Sequence, residues 1–309
     1  ARTVPTTDGR ATRTEPASPA APPGGGATIL RVTDVLRIAN CSGFYGDRSS
    51  ALSEVLNDGP VDVVTGDYLA ELTMLILFRS RAKDPSRGWA TTFLRQLEPV
   101  LGTVAERGTR VVVNAGGLSP AACAAAVRDL ATTLGLDVPV AHVEGDDLLT
   151  RVGELDLPNL DTGAPLGDRT PLTANAYLGA WGIASALQAG AQVVITGRVT
   201  DAEMAADGSA VVTKHPGTGG AVTVGTVTAQ LLYEIGGPLY AGPDVVTDFS
   251  SITLSQEGTD RVRMSGVRGV PPSGRLKVCL NMLGGFRNTM SFVLTGLDVE
   301  EKASLALDG

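Results

Sequence analysis

The sequence predicts an α/β fold: a mostly parallel, Rossmann-like sheet flanked by helices, with a smaller C-terminal α+β region. Three observations support this prediction. Short runs of Val and Ile alternate with longer helical patterns up to about residue 202. The chain contains 38 glycines, which suit tight turns between strands and helices. Beyond residue 202 the pattern changes to short strand-like segments separated by turns.

The predicted strands of the sheet are apolar at nearly every position. This pattern is typical of strands that are buried on both faces, as in parallel sheets covered by helices. The predicted strands are Val35–Ala39, Val61–Thr65, Arg110–Val113, Val138–Val143 and Gln192–Thr196.

Start and stop signals predict the helices between these strands. Asp67 is a candidate cap for the first of them, and the pair Ser119-Pro120 is a strong helix start. Pro99 should kink or divide the second helix, and Gly190 should end the last one. The predicted helices are Tyr68–Arg81, Trp89–Arg107, Pro120–Leu134 and Ala174–Ala189.

The organisation of the chain follows from these patterns. Residues 1–27 are poor in apolar side chains and predict a disordered tail. Residues 28–202 predict the Rossmann-like domain, and residues 203–309 predict an α+β region that completes the site. In this last region one helix is predicted at Thr226–Ile235, and strands are predicted at Ala210–Thr213, Ser251–Ser255, Arg261–Ser265 and Leu276–Met282.

Bulk composition excludes several classes of function. A formal net charge of -8 predicts no nucleic-acid partner, because such proteins usually carry a basic face. The three cysteines are far apart and have no CxxC spacing, which argues against a disulfide framework or a thiolate zinc site. The apolar run Leu72–Phe78 is too short to cross a bilayer, and residues 1–27 do not resemble a secretory signal. We therefore expect a cytoplasmic protein with no membrane partner.

A glycine beside a charged or amide residue follows all five predicted strands of the sheet. The carboxyl ends of parallel strands share one edge of a sheet, where ligands bind. Each acidic residue considered singly is as consistent with a helix cap as with catalysis, so the prediction of a site rests on all five turns together. The turns are Asn40–Arg48, Thr65–Tyr68, Asn114–Gly117, Glu144–Asp147 and Thr196–Asp201.

Candidate roles follow from the chemistry of these side chains. Arg198 and the turn Asn114–Gly117 can hold an anion or a carbonyl oxygen, and an acidic residue can move a proton. Carboxylates also suit Mg²⁺, and the candidate ligands, one of which could instead be a general base, are Asp67, Glu71, Asp146, Asp147 and Asp201. The sequence leaves a Mg²⁺ site open without firmly implying any cofactor. The predicted catalytic residues in the turns are Asp47, Asp67 and Asp146, and the predicted substrate-binding residues are Ser42, Tyr45, Arg48, Asn114, Gly116, Gly117 and Arg198.

A glycine-rich loop after residue 213 adds a second group of candidates. Lys214 can bind an anion, His215 can exchange a proton, and Thr218 can contact the substrate. Such a loop can close over a ligand, although glycine-rich segments are as often plain connections. His142 lies within a predicted strand and is more consistent with a structural role.

Taken together, these segments resemble the acyclic terpene utilisation protein A family. The resemblance is carried by IANCSGFYGDR (38–48), VDVVTGDYLAELTM (61–74), VVVNAGGLSP (111–120), VEGDDLL (143–149), ANAYLGAWGIASALQAGAQVVITGRVTDA (174–202) and VVTKHPGTGGAVTVGTVTAQLLYEIG (211–236). It implies a bacterial metabolic protein of pathways that degrade branched acids as CoA thioesters. Family members usually carry several tens of residues after the GRVTDA turn, whereas Ala202 here runs almost directly into the next shared segment.

Three functions remain open from the sequence. The first is a lyase or hydratase that acts on a branched acyl thioester or carboxylate. The second is a non-catalytic partner or scaffold in a CoA-thioester carboxylase pathway, and the third is a tailoring enzyme for a carrier-bound biosynthetic intermediate. A homo-oligomer is the expected assembly for a metabolic enzyme of this size.

Overall fold

The computed structural model describes residues 36–160, 162–200, 210–213, 221–235, 239–241, 246–271 and 277–283. The predicted tail at residues 1–27 lies outside these ranges, as do Asp201 and the loop residues Lys214, His215 and Thr218. The division of the chain at residues 27 and 202 stays a prediction. In the described part of the chain, no helix is both long enough and apolar enough to cross a membrane.

Helices and strands alternate from the first described strand onward. The strands are β1 Ile38–Asn40, β2 Val63–Gly66, β3 Arg110–Val113, β4 Val140–Val143, β5 Thr173–Ala176, β6 Val193–Thr196, β7 Ala210–Thr213, β8 Leu239–Ala241, β9 Val246–Asp248, β10 Thr253–Gly258, β11 Arg261–Ser265, β12 Arg268–Val270 and β13 Val278–Asn281. The α-helices are α1 Ala51–Asn57, α2 Glu71–Lys83, α3 Thr91–Leu97, α4 Leu101–Arg107, α5 Pro120–Thr133, α6 Trp181–Gln188 and α7 Val224–Ile235. Short 3-10 helices occupy Glu98–Val100 and Leu149–Glu154.

The central sheet has five strands in the order β1-β2-β3-β6-β4, and every neighbouring pair is parallel. This confirms the predicted α/β class. The chain passes from β3 to β4 at the edge and then returns to place β6 between them. A reversal of this kind leaves a crevice at the carboxyl ends of the strands, where α/β proteins bind ligands.

Both faces of the sheet are covered, which explains the continuous apolar runs of its strands. Val111 and Val113 of β3 pack in one core cluster with α1, α3, α4 and α5. Val112 lies in a separate cluster with Val194 and with Ile183 of α6. Successive side chains of a strand point to opposite faces, so one Val run serves both clusters. Each such side chain contributes about 1.5–3 kcal/mol when it is fully buried.

Proline and glycine divide the helices at the predicted places. The predicted helix at residues 89–107 is two helices, because Pro99 lies in the 3-10 turn between α3 and α4. Helix α4 then ends at Gly108, whose φ of 67° lies in the left-handed region that favours glycine. Helix α5 begins at Pro120 as predicted, but the hydroxyl of Ser119 donates to the carbonyl oxygen of Arg87 and does not cap the helix.

One predicted helix is wrong over its first half. The segment predicted as a helix at residues 174–189 begins instead with β5, and α6 starts only at Trp181. Strand β5 pairs antiparallel with β13, which is about a hundred residues later in the chain. This remote pairing overrides the local helical spacing. Helix α2 also begins at Glu71 and not directly after Asp67.

The C-terminal region contains small antiparallel sheets and the helix α7, which confirms the predicted α+β character. One has the order β10-β11-β7, and another has the order β12-β9-β8. The predicted strands at residues 210–213 and 261–265 and the predicted helix near residues 226–235 are present within one or two residues of the expected limits. The pair formed by β5 and β13 connects this region to the turns of the central sheet.

The close packing at Gly116 makes a stability prediction. A Cβ atom at this position would lie 2.5 Å from the carbonyl oxygen of Thr196 and 2.7 Å from the Cα atom of Pro120. Both contacts are to backbone atoms, so we expect Gly116→Ala to lower the free energy of unfolding by about 2 kcal/mol or more. Urea unfolding measures the change.

Gly102 is the matched control for this substitution. It lies within α4 and an added Cβ would meet nothing within 4 Å. Gly102→Ala should therefore stabilise the protein by about 0.5–1 kcal/mol, because alanine loses less conformational entropy in a helix. Equal effects of the two substitutions would contradict the packing described for the turn after β3.

Candidate functional site

The turns after the central strands are joined by hydrogen bonds at one edge of the sheet. The amide of Asp67, after β2, donates to the carbonyl oxygen of Ser42, after β1. The buried side chain of Asn114, after β3, accepts a hydrogen bond from the amide of Tyr68 at 2.6 Å and donates to Oδ1 of Asp67. The same Asp67 oxygen accepts from the amide of Leu69. Asn114 and Asp67 therefore connect two turns.

Asp146 is a buried carboxylate at the end of β4. Its Oδ2 accepts hydrogen bonds of 2.9 Å from the amide of Arg198 and from the side chain of Asn175. An added Cβ at Gly197 would lie 2.5 Å from the other carboxylate oxygen, so glycine at that position leaves room for Asp146. Burial raises the pKa of Asp146, and the two hydrogen bonds oppose this effect.

Four side chains beside Asp146 form the most concentrated polar group of the described site, and we call them the Tyr177 cluster: Glu71, Tyr177, Arg198 and Lys277. The guanidinium of Arg198 donates to the carbonyl oxygen of Leu69 at 2.7 Å and to the hydroxyl of Tyr177. The hydroxyl of Tyr177 donates to Oε1 of Glu71 at 2.6 Å. A continuous path of hydrogen bonds thus runs from Arg198 to Glu71.

Two cations contact the ring of Tyr177. The guanidinium carbon of Arg198 lies 4.1 Å from the ring centroid, and the ammonium nitrogen of Lys277 lies 4.3 Å from it. Such contacts are attractive because the face of an aromatic ring is negative. The same two groups lie 3.7 Å and 3.6 Å from Oε1 of Glu71.

The Tyr177 cluster is buried at one end and open to solvent at the other. The side chain of Arg198 is only 4% exposed, whereas those of Glu71 and Lys277 are 57% and 51% exposed. Tyr177 lies between these extremes and is largely buried. A small molecule can therefore reach the carboxylate and the ammonium, while the guanidinium fixes the phenol from within.

The environment of the cluster sets its protonation. The hydrogen bond from Tyr177 lowers the pKa of Glu71, and the charges of Arg198 and Lys277 lower it further against the effect of partial burial. Burial raises the pKa of Tyr177 well above its usual range, although the charge of Arg198 opposes this change. At neutral pH the cluster therefore contains an ionised carboxylate beside a neutral phenol.

Backbone pairing brings the cluster together from distant parts of the chain. Ala176 pairs with Val278 across β5 and β13, and the amide of Tyr177 donates to the carbonyl oxygen of Lys277 at 2.9 Å. Residues that lie opposite each other in an antiparallel pair have neighbouring side chains. Arg198 follows β6, and its carbonyl oxygen accepts from the amide of Leu178. Glu71 is the first residue of α2.

The predicted residues of the first turn make local contacts. The carboxylate of Asp47 accepts hydrogen bonds from the amides of Gly43 and Arg48, and the hydroxyl of Ser42 donates to the carbonyl oxygen of Phe44. The guanidinium of Arg48 binds Glu54 of α1 at 2.7 Å. The carbonyl oxygen of Tyr45 accepts a hydrogen bond from Thr92. These contacts order the turn, and the proposed roles in substrate binding or catalysis stay predictions.

The amides of the turn after β3 already have partners within the protein. The amide of Gly116 donates to Thr196, and the amide of Gly117 donates to Asn114. Gly117 has a φ of 52°, and an added Cβ there would lie 2.2 Å from Leu77. In this conformation the two glycines allow close packing, and their predicted contact with a substrate stays untested.

Among the residues that the structure describes, no group of three or more His, Cys, Asp and Glu side chains is arranged to hold a metal ion. Asp67 and Asp146 each use a carboxylate oxygen to accept N–H donors, as described above. Mg²⁺ therefore stays an open expectation from the sequence alone.

Sequence reasoning singled out Arg198, Asp146 and Glu71 but missed Tyr177 and Lys277. Tyr177 was hidden because its segment was interpreted as a helix. Lys277 is an isolated cation in the smaller C-terminal region, and no local motif surrounds it. The sequence does contain one signal for this part of the site, which is Asn175 between two alanines. A polar side chain among small apolar residues is a candidate for a buried hydrogen bond.

Comparison with known protein families shows to which family the chain belongs. The family model for the acyclic terpene utilisation family protein AtuA matches residues 36–205 and 202–308. The chain belongs to this acyclic terpene utilisation family. The two matched stretches overlap at residues 202–205. No curated protein and no solved structure matches the chain.

The buried carboxylate makes a prediction about the pH dependence of stability. A raised pKa in the folded state means that folding is favoured when Asp146 is protonated. Wild-type stability should therefore fall as the pH rises from the ordinary pKa of an aspartate to the raised value, and then level off. We expect Asp146→Asn, which keeps an acceptor oxygen, to become more stable relative to wild type across that window.

Urea unfolding of both proteins at acidic, mildly acidic and neutral pH measures this difference. Asp129→Asn, at an exposed position of α5, serves as the control. A stability difference between wild type and Asp146→Asn that stays constant with pH would contradict the raised pKa.

Proposed function

We propose that this member of the acyclic terpene utilisation family is a lyase or hydratase that acts on a branched acyl thioester or carboxylate. The observation that carries the proposal is the hydrogen-bonded path from Arg198 through Tyr177 to the exposed Glu71. An accessible carboxylate with a fixed geometry is what general base catalysis requires. Family membership supports a setting in acyclic terpene utilisation, and branched thioesters are the substrates that the family resemblance of the sequence implies.

In the proposed reaction Glu71 is the base. Its carboxylate takes a proton from the carbon next to the substrate carbonyl, and the electron pair of that C–H bond forms a double bond to the neighbouring carbon. The C–O bond at that neighbouring carbon breaks, and the hydroxide leaves as water by taking the proton from Glu71. Hydration follows the same steps in reverse with water as the second reactant, and no further reactant is needed.

The remaining cluster residues support this chemistry. The hydrogen bond from Tyr177 orients the carboxylate of Glu71 and keeps it ionised. Arg198 holds the phenol of Tyr177 in place, and its positive charge stabilises the negative charge that develops on the substrate. Asp146 fixes the backbone of Arg198 from the buried side. Asp67 and His215 stay further candidates for moving a proton. Asp67 lies four residues before Glu71 in the sequence, and His215 lies two residues after the end of β7.

The wider setting is part of the proposal. On the basis of composition and size we propose a cytoplasmic homo-oligomer whose partner is a small molecule. The alternative function, a scaffold in a carboxylase pathway, would need the crevice but no titrating base. The turnover experiments below distinguish the scaffold from the enzyme.

The first test asks whether Glu71 is the catalytic base. Purified protein is offered branched 2-enoyl and 3-hydroxyacyl thioesters and the corresponding free acids, and the change in the double bond is followed by absorbance. We expect Glu71→Gln to lower kcat by roughly 100-fold or more, because the amide cannot accept the proton. Glu154→Gln, at an exposed position far along the chain, should leave kcat unchanged.

Two outcomes would count against the proposal. Turnover that Glu71→Gln leaves intact would remove Glu71 as the base. Inactivity on every substrate offered, together with capture of a carboxylase subunit by the protein, would favour the scaffold function.

The hydroxyl of Tyr177 makes a second, independent prediction. Because its hydrogen bond is the largest influence lowering the pKa of Glu71, Tyr177→Phe should raise that pKa toward its ordinary value. The acidic limb of the pH profile of kcat/KM should then move to higher pH, since a base is active only when it has lost its proton. An unchanged acidic limb in an active Tyr177→Phe protein would show that Glu71 does not control that limb.

A further inference from the structure

The ammonium group of Lys277 is an N–H donor that a ligand can reach beside Glu71. The side chain of Lys277 is 51% exposed, and its described contacts are the ring of Tyr177 at 4.3 Å and Oε1 of Glu71 at 3.6 Å. The second distance is longer than a charge-assisted hydrogen bond, and the ammonium makes no hydrogen bond to the residues that the structure describes. Its N–H groups can therefore donate to a molecule that binds next to Glu71.

Tyr177 sets the positions of both the ammonium and the carboxylate. Its backbone amide donates to the carbonyl oxygen of Lys277 at 2.9 Å, and the face of its ring attracts the ammonium. Its hydroxyl donates to Oε1 of Glu71 at 2.6 Å. The two charged groups are therefore held side by side by the fold, although an exposed ion pair by itself contributes only about 0–1 kcal/mol to stability.

The proposed chemistry needs an N–H donor close to the base. Removal of a proton from the carbon next to a thioester carbonyl places negative charge on the carbonyl oxygen, which a donor about 2.7–3.1 Å away stabilises. The base must lie within about 3–3.5 Å of the carbon that loses the proton. That carbon and the oxygen are bonded to the same carbonyl carbon, so base and donor must lie a few ångströms apart. The separation of 3.6 Å between Glu71 and Lys277 meets this requirement.

Other candidate donors of the site already donate within the protein. The amides of Gly116 and Gly117 each donate to a backbone carbonyl oxygen, and the side chain of Asn114 is fully buried and donates to a carboxylate. The guanidinium of Arg198 donates to two protein oxygens, and its side chain is only 4% exposed. Lys277 is therefore better placed than these four residues to contact a substrate.

We propose that Lys277 is a catalytic residue that donates a hydrogen bond to the thioester carbonyl oxygen of the substrate while Glu71 removes the proton from the next carbon. As that C–H bond breaks, its electron pair moves towards the carbonyl oxygen, and it returns to form the carbon–carbon double bond when the C–O bond breaks. The inference rests on the proposed function. It narrows the substrate to the thioester, since an ionised carboxylate already carries negative charge on the oxygens that the donor would have to stabilise.

Infrared spectroscopy of a bound thioester tests this contact without any turnover. The full chain is mixed with the N-acetylcysteamine thioester of isovaleric acid, which has no hydroxyl group to eliminate. Spectra with and without an isotopic label at the carbonyl carbon are subtracted, so that the difference isolates the C=O stretch. Lys277→Met keeps the aliphatic stem against the ring but removes the donor. Because a hydrogen bond weakens the C=O bond, we expect the band in wild type to lie at lower wavenumber than in Lys277→Met.

Two further variants control this measurement. Lys277→Arg retains a charged N–H donor and should keep most of the band shift, whereas Lys83→Met removes an exposed cation at the end of α2 and should change nothing. In turnover of branched 3-hydroxyacyl thioesters, Lys277→Met should lower kcat by roughly 100-fold or more with a much smaller change in KM. The reason is that the contact strengthens as charge develops in the transition state.

Failure of this inference can be told apart from failure of the proposed function. A wild-type protein that does not bind the thioester, or a carbonyl band that is the same in wild type and Lys277→Met, would overturn the inference. If the band depends on Lys277 and no thioester reacts, the carbonyl contact stands and the lyase or hydratase assignment fails. If turnover depends on Glu71 while Lys277→Met changes neither the band nor kcat, the assignment stands and Lys277 is not catalytic.

Discussion

The site depends on one buried interaction, the acceptance of two N–H donors by a single oxygen of Asp146. Those donors belong to the backbone of Arg198, after β6, and to Asn175 of β5. A carboxylate buried without such partners would cost several kcal/mol, so the three groups hold one another in place. The guanidinium of Arg198 in turn donates to Leu69 and Tyr177, and the hydroxyl of Tyr177 donates to Glu71. The exposed part of the cluster therefore depends on a carboxylate that is itself buried.

Much of the fold could be predicted because its causes are local. The Val and Ile runs of β3 and β6 are long enough to identify strands that are buried on both faces. Pro99 divides one helix and Gly108 ends another, and in both cases the conformational preference of that one residue is the cause. Strand β5 could not be predicted in this way. Apart from Thr173, its residues have weak strand preference, and the partner that makes them a strand lies in β13.

The site was predictable to the extent that the sheet topology determines it. Parallel strands place their carboxyl ends together, which correctly brought the turns containing Asp67, Asn114, Asp146 and Arg198 to one edge. Topology does not say which of these side chains point to solvent. Asn114 and Asp146 join the turns from the buried side, whereas the accessible groups come from Glu71 and from Lys277 in the C-terminal region. Side-chain burial, which decides between structural and chemical roles, follows from packing that a single sequence does not reveal.

The pairing of β5 with β13 has a consequence for when the site exists. Closing the loop between two strands so far apart in the chain costs entropy before the contacts of the pair can form. We therefore expect this pair to form late in folding and to open early. Opening β13 removes Lys277 and exposes the ring of Tyr177 without disturbing the five-stranded sheet. The amide of Tyr177 donates to the carbonyl oxygen of Lys277, so its protection from hydrogen exchange should report the free energy of opening the site.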